Sequence, residues 1–271
     1  GVRPGPACVW CRRAANCGAF PSDRPVPSRE RPVNVTKTDV EALESCHRRV
    51  AWRRVHGVPR DDGEEIDMGS SLGQGRLFHA LVGAAEGADD LRAAVDTFLA
   101  GVPPSEVAEL RLMWENHRRL IDEEGLAVRQ TEFPVGITLI EGEGAEAVGT
   151  SVIAFLDLTA RDATGAPVAI ELKTGNPTDH VIEDDIYAVG LRRWIGPDTP
   201  AVIHRHYVRW DPPTCEVVAL GPGEVEAAAE RLRSRVRPIH DWDWDDPLQP
   251  AYAEGPWCNG CEFRLTCRAY R

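Results

Sequence analysis

The chain is short of lysine and of positive charge. Its 271 residues include 31 Lys+Arg against 43 Asp+Glu, a net charge of −12, and its two lysines are Lys37 and Lys173. Proteins that coat nucleic acid bind by neutralising its phosphates with basic side chains. The negative net charge therefore argues against a protein that coats nucleic acid. No apolar run approaches the roughly 18 to 20 residues that span a bilayer, and the N-terminus lacks the apolar core of a secretory signal. We therefore expect a cytoplasmic protein with no membrane partner.

Composition and patterning indicate one folded domain with an N-terminal appendage. Hydrophobic residues make up 42% and charged residues 27% of the chain, as in ordinary folded soluble proteins. We expect residues 1–36, rich in Pro, Arg and Cys, to form an appendage and residues 37–271 to form the main domain. A helix is predicted from Thr38, an N-cap with Glu41 as its capping-box partner, to Gly57.

The remaining segments alternate between helical and extended patterns. Apolar spacing predicts helices at about 72–86, 88–100, 104–124, 179–195 and 223–237. Runs rich in Val, Ile, Thr and Phe predict strands near 127–140, 148–160, 167–173, 201–210 and 215–220. The segment Asp162-Ala163-Thr164-Gly165 predicts a turn between the second and third of these strands. The order of elements indicates a mixed α/β domain.

Two carboxylates and one lysine fall on neighbouring predicted strands. Asp157 ends an apolar run, and Glu171 and Lys173 follow on the next strand, where their spacing of two residues puts both side chains on one face. If these strands form a hairpin, Asp157 approaches Glu171 and gives the pair of oxygen ligands that magnesium prefers. A lysine kept here, in a chain that otherwise uses arginine, supports a chemical role, since arginine cannot lose its proton near neutral pH.

Further motifs stand around this constellation in a fixed order. They are Ser45-Cys46-His47-Arg48-Arg49, Gly75 to His79, Asp157, Glu171-Leu172-Lys173-Thr174-Gly175, Tyr187 and the closing cysteines. In this order the sequence resembles the RecB-type nucleases of the PD-(D/E)XK superfamily, which include CRISPR-associated adaptation exonucleases and helicase-nucleases. The resemblance covers roughly residues 38–271. It implies a restriction-endonuclease-like core, a mixed central sheet flanked by helices, with an N-terminal helical region and a cysteine-pinned C-terminal tail.

The resemblance also implies roles for individual residues. His79, Asp157 and Glu171 would bind a magnesium or manganese ion, with the carbonyl of Leu172 as a possible further ligand. Lys173 would be the catalytic lysine. The chain would then be a metal-dependent DNA nuclease, and we expect an exonuclease acting on single-stranded or unwound ends, with a helicase or an integrase-type protein as a possible partner. The alternative is a catalytically inactive nuclease-fold module that binds DNA ends or partner proteins.

The expected DNA contacts are Tyr187, Arg48 and Arg49. Tyr187 matches the tyrosine of the family's Gln-x-x-x-Tyr motif, which lies by the DNA path. The chain departs from that motif at Glu183, an acid where an amide is usual. An acid at this position implies either an altered substrate or an extra metal contact at this helix. Arg48 and Arg49 belong to an arginine-rich helix that could form part of a cationic track on the acidic protein.

The closing cysteines Cys258, Cys261 and Cys267 have the spacing of metal ligands. A tetrahedral zinc site or a cubane cluster needs a fourth thiolate, and Cys46 is the natural candidate. In the similar nucleases, one cysteine before the core and three at its end hold a [4Fe-4S] cluster. The resemblance therefore implies a structural iron–sulfur cluster at these four residues, with zinc as the alternative.

An N-terminal triplet, Cys8, Cys11 and Cys17, repeats the spacing of the closing cysteines. Three interpretations remain open. The triplet could bind a second metal with Cys215 or a histidine as fourth ligand, it could be the closing triplet of a preceding module, or it could be unliganded. Cys215 stands alone on a predicted strand and is expected to be a packing thiol.

Overall fold

The computed structural model describes residues 33–58, 71–141, 148–177, 180–192, 194–242, 244 and 246–269. The helices are α1 (Lys37–Leu43), α2 (His47–Arg54), α3 (Ser71–Ala85), α4 (Leu91–Leu99), α5 (Pro104–Glu123), α6 (Val181–Leu191), α7 (Pro222–Val236) and α8 (Arg264–Ala269). The strands are β1 (Val33–Thr36), β2 (Ala127–Glu141), β3 (Val148–Arg161), β4 (Pro167–Lys173), β5 (Ala201–Tyr207) and β6 (Thr214–Leu220). None of the described helices is long and apolar enough to cross a membrane.

The strands pair in the order β1-β3-β4-β5-β6, and β2 also pairs with β3. The β1–β3 and β4–β5 pairs are parallel, whereas β3–β4 and β5–β6 are antiparallel. This mixed sheet with helices confirms the α/β class. Strand β4 is buried along its interior, and this accounts for its nearly continuous apolar sequence.

A compact unit comprises residues 71–137 and 154–230. Its apolar core contains side chains of α3, α4 and α5 together with those of β3 and β4; the largest buried ones include Phe78, Leu110, Met113, Leu158 and Ile170. Helix α4 begins at the N-cap Asp90, whose side chain accepts a hydrogen bond from the Ala93 amide, and α5 begins with a proline. These signals set where α4 and α5 begin.

The turn between β3 and β4 fixes the register of the hairpin. Asp162 Oδ1 accepts hydrogen bonds from the amides of Thr164 at 2.8 Å and Ala166 at 2.9 Å. Gly165 has a φ of 88°, a conformation that costs glycine little. The predicted turn is confirmed, and it sets Leu158 opposite Ile170.

A second compact unit comprises residues 33–58, 138–153 and 231–269. Strand β1 pairs in parallel with the first half of β3. Trp52 of α2 donates a hydrogen bond to the carbonyl of Pro247 at 2.6 Å and packs edge-on against Phe263, with ring centroids 5.6 Å apart. These contacts hold the C-terminal tail on α2.

The start of this second unit differs from the sequence prediction. The single helix from Thr38 is wrong: α1 begins at Lys37 after Thr36, whose amide and hydroxyl both donate to Asp39 at 2.8 Å. Helix α1 ends at Leu43. The Ser45 hydroxyl donates a hydrogen bond to the Ala42 carbonyl at 3.0 Å, and such side-chain bonds compete with the backbone bonds of a helix. Strand β1 was not predicted, and it lies before the boundary expected at residue 37.

Candidate active site

The hairpin of β3 and β4 brings the two predicted carboxylates together. Extending the observed register by one residue sets Asp157 opposite Glu171. Asp157 Oδ2 accepts a hydrogen bond from the Leu172 amide at 2.8 Å, which fixes the orientation of its carboxylate. This bond attaches the Asp157 carboxylate to the strand that carries Glu171. That the two carboxylates bind one metal ion stays a prediction.

Helix α3 adds His79 to this pair. A Cβ at Gly75 would lie 3.0 Å from Oγ1 of Thr174, so the glycine lets α3 approach the residue after Lys173. One helical turn further on, His79 Nδ1 lies 3.2 Å from Asp157 Oδ1. Burial opposes protonation of His79, but its hydrogen bond to Asp157 and the charge of that carboxylate prevail and raise its pKa.

Lys173 is held between two carboxylates. Its Nζ donates to Glu171 Oε1 at 2.9 Å and to Glu183 Oε2 at 2.7 Å. Glu183 comes from the first turn of α6 and has a side chain 2% exposed. Burial alone would lower the pKa of Lys173, but the two negative charges raise it.

Tyr187 is buried and contacts the same site. Its hydroxyl donates to Glu171 Oε2 at 2.6 Å and lies 3.4 Å from the Phe155 carbonyl. Burial and the charge of Glu171 raise its pKa well above the usual value. Tyr187 is 3% exposed, and the DNA contact expected from its motif stays a prediction.

The charges at the site favour a bound cation. The side chains of Asp157, Glu171 and Glu183 are 17%, 7% and 2% exposed. Lys173 supplies one positive charge next to these carboxylates, and His79 and His180 add to it only when they are protonated. Because an uncompensated buried charge is costly, this set of donors suits a divalent ion. Asp157 and Glu171 supply the hard oxygen ligands that magnesium and manganese take, with His79 beside them.

Comparison with known proteins identifies the family of the chain. A model of the family described as the PD-(D/E)XK nuclease superfamily matches residues 34–268. The chain belongs to this superfamily. Its fold is similar to that of a protein from Eubacterium rectale named "Putative exonuclease", with 13% identity, a TM-score of 0.51 and 94% of each chain covered.

A second solved structure, that of SSO0001, is 16% identical, with a TM-score of 0.38, and the match covers 88% of this chain and 87% of the other. A search of curated proteins found no match. The superfamily match confirms the expected fold, a mixed central sheet flanked by helices, and identifies the chain as having a nuclease domain.

Two arginines expected to contact DNA are instead engaged within this PD-(D/E)XK chain. Arg48 donates Nε to the Pro250 carbonyl at 3.1 Å, and its guanidinium lies 4.9 Å from the centroid of the Tyr252 ring. Arg49 donates Nε to Glu262 Oε2 at 2.9 Å. Both guanidinium groups thus contact the C-terminal tail, through hydrogen bonds to its oxygen atoms and, for Arg48, through an aromatic ring. In this structure Arg48 and Arg49 hold the tail, and their expected contact with DNA stays a prediction.

Four cysteines are expected to hold a cluster: Cys46 at the start of α2, and Cys258, Cys261 and Cys267 in the tail. All four are partly buried and form no disulfide. Glu262, next to Cys261, accepts hydrogen bonds from Arg49 and Arg53 of α2. Burial raises the pKa of the Cys261 thiol, and the nearby Cys46 adds to the rise. The tail and the start of α2 therefore lie close together. The triplet Cys8, Cys11 and Cys17 lies outside the described residues.

Sequence reasoning did not predict His180. Its Nδ1 lies 3.5 Å from Glu183 Oε2, at the start of α6. The signal available was its position three residues before Glu183, which places both side chains on one face of a helix. Glu183 itself was noticed as a departure from the motif, but its contact with Lys173 emerges only from the packing of α6 on the sheet.

Proposed function

We propose that this nuclease is a magnesium- or manganese-dependent deoxyribonuclease that hydrolyses phosphodiesters with water. The observation that carries the proposal is a group of four side chains on α3, β3 and β4. His79 lies 3.2 Å from Asp157, and Lys173 lies 2.9 Å from Glu171. The exonuclease assignment, on single-stranded or unwound ends, follows the resemblance to RecB-type nucleases and agrees with the name of the Eubacterium rectale neighbour.

The proposed metal ligands are His79, Asp157 and Glu171, with the Leu172 carbonyl as a possible further one. When bound, a divalent ion would activate a water molecule and offset the charge of the phosphate. The chain's own contribution is to orient these donors. The Leu172 amide fixes one oxygen of Asp157, and the Tyr187 hydroxyl fixes one oxygen of Glu171.

Lys173 would act as a positioned cation. An ammonium has three N–H donors, and two of them are used by Glu171 and Glu183. The remaining donor is available to orient the attacking water or to bind a phosphate oxygen. Glu183 and Tyr187 would serve as positioning residues, because they act on Lys173 and Glu171 rather than on the reacting atoms.

We also propose that Cys46, Cys258, Cys261 and Cys267 hold a [4Fe-4S] cluster with a structural role, zinc being the alternative. The support is the ligand spacing together with the contacts that hold the C-terminal tail on α2. Anaerobic purification should give a brown protein with absorbance near 400 nm and matching iron and sulfide. A colourless protein containing zinc would favour the alternative.

The experiment for the nuclease proposal compares DNA topologies and metals. End-labelled linear single-stranded DNA, circular single-stranded DNA and duplex DNA are incubated with magnesium, manganese or EDTA. We expect degradation of the linear strand with a metal, protection by EDTA and survival of the circle. Cleavage of the circle would identify an endonuclease. No cleavage under any condition would favour a binding module, which could serve a helicase or an integrase-type partner.

A further inference from the structure

Two histidines and a cysteine form a cluster that the proposed nuclease mechanism does not use. His204 and His206 lie two residues apart on β5, and Cys215 on β6 pairs with His206 in the strand register. One ligand atom of each residue lies within 4.8 Å of the others. Among the residues that the structure describes, these three form the one group of metal-ligating side chains whose ligand atoms all lie within this distance of one another.

The spacing of this cluster fits a single zinc ion. Zinc binds histidine nitrogen at about 2.0 to 2.1 Å and cysteine sulfur at about 2.3 Å in tetrahedral sites, so the two ligand atoms lie about 3.6 Å apart. The distance from His204 Nδ1 to Cys215 Sγ is 3.6 Å. Nitrogen and thiolate ligands together suit zinc better than magnesium or calcium, which prefer oxygen.

A chain of hydrogen bonds orients His206 for a ligand. His117 Nε2 lies 3.1 Å from Glu86 Oε1, a carboxylate oxygen that can only accept, so this nitrogen carries the proton. With both rings neutral, His117 Nδ1 then accepts from His206 Nδ1, 3.3 Å away. The lone pair of His206 is thereby placed on Nε2. Zinc-bound histidines are typically held in this way by a partner on their second nitrogen.

The Nε2 atom of His206 is the unexplained feature of this cluster. The residue is fully buried, at 0% exposure, and its Nε2 has no hydrogen-bond partner. A buried polar atom without a partner is costly and rare in native proteins. A metal ion in the cluster would satisfy this lone pair, and no other group described there does so.

We propose that His204, His206 and Cys215 bind one zinc ion, with Glu124 or a water molecule completing the tetrahedron. Glu124 follows the last residue of α5, and its Oε2 lies 4.0 Å from Nδ1 of His204. The ion would tie the edge strand β6 to β5 in a structural role. Cys215 would then be a ligand rather than the packing thiol that the sequence suggested. This inference does not depend on the nuclease proposal.

The test measures zinc bound to the full chain after EDTA treatment, reloading and desalting. Elemental analysis should show one zinc equivalent fewer in Cys215→Ala than in the wild type. The matched control is Val217→Ala, on the same strand and 50% exposed, and it should retain the wild-type zinc content. Cobalt substitution should give a thiolate-to-metal absorption band in the wild-type minus Cys215→Ala difference spectrum. This comparison cancels the contribution of the other cysteines.

A second variant and a stability measurement make the test decisive. His204→Gln should lose the same equivalent of zinc even if Cys215→Ala fails to fold. Zinc at about 100 times its Kd should raise the Tm of the wild type by about 5 to 10 °C more than that of either variant. Equal zinc content in the wild type and a folded variant, or a zinc-independent Tm in the wild type, would overturn the proposal.

Discussion

Replacing Tyr187 with phenylalanine isolates one hydrogen bond at the active site. The change keeps the buried ring and removes the hydroxyl that donates to Glu171 at 2.6 Å. Hydrogen bonds to charged groups contribute about 1.5 to 3 kcal/mol. Glu171 keeps its contact with Lys173, so the carboxylate stays paired but loses its fixed orientation. If the whole loss falls on the reactive geometry, the cleavage rate drops by about 10- to 160-fold.

The assay is the initial rate of cleavage of end-labelled single-stranded DNA across a range of manganese concentrations. The matched control is Tyr207→Phe, since Tyr207 is also buried and its hydroxyl lies 3.2 Å from a carboxylate, that of Glu216. We expect a lowered rate and a raised manganese requirement for Tyr187→Phe alone. A wild-type rate and manganese dependence in a folded Tyr187→Phe protein would refute the positioning role.

Three further predictions concern Glu183, the buried Asp39 and the cysteines. Glu183→Gln keeps an oxygen for Lys173 but removes one charge, so the apparent affinity for manganese should fall by about 10-fold in the rate assay. Asp39→Asn should cost about 3 kcal/mol in urea unfolding at neutral pH, because Asp39 is fully buried with two arginines. Burial alone would raise the pKa of Asp39, but hydrogen bonds from Thr36 and the arginines lower it. Its stabilisation is therefore present above pH 3.8 and lost as the pH falls through the lowered value, so wild type and variant should converge in acid. Cys46→Ala should abolish absorbance near 400 nm, whereas Cys215→Ala should retain it.

The parts of the site that lie on adjoining strands could be predicted from the sequence. The period of two residues and the turn at Asp162 were enough to bring Asp157 and Glu171 together. The contact between His117 and His206 could not be predicted, since these residues lie 89 positions apart and meet through packing of α5 on the sheet.

The contacts of side chains that a sequence pattern predicts to be exposed also depend on packing. Arg48 and Arg49 were expected on an open helix face, but the C-terminal tail covers that face and takes up their hydrogen bonds. Tyr187 was assigned to DNA from its motif, yet α6 turns its hydroxyl toward Glu171. A one-dimensional pattern gives the face of a helix and leaves open what packs against it.

The most direct measurement of the central claim uses the two lysines of the chain. Lys173→Ala removes the ammonium held by Glu171 and Glu183, and Lys37→Ala removes the same group from α1. The account predicts that metal-dependent cleavage of single-stranded DNA falls by at least about 100-fold in Lys173→Ala. Cleavage should stay near the wild-type rate in Lys37→Ala. Full activity in a folded Lys173→Ala protein, and likewise in Asp157→Ala, would contradict the account.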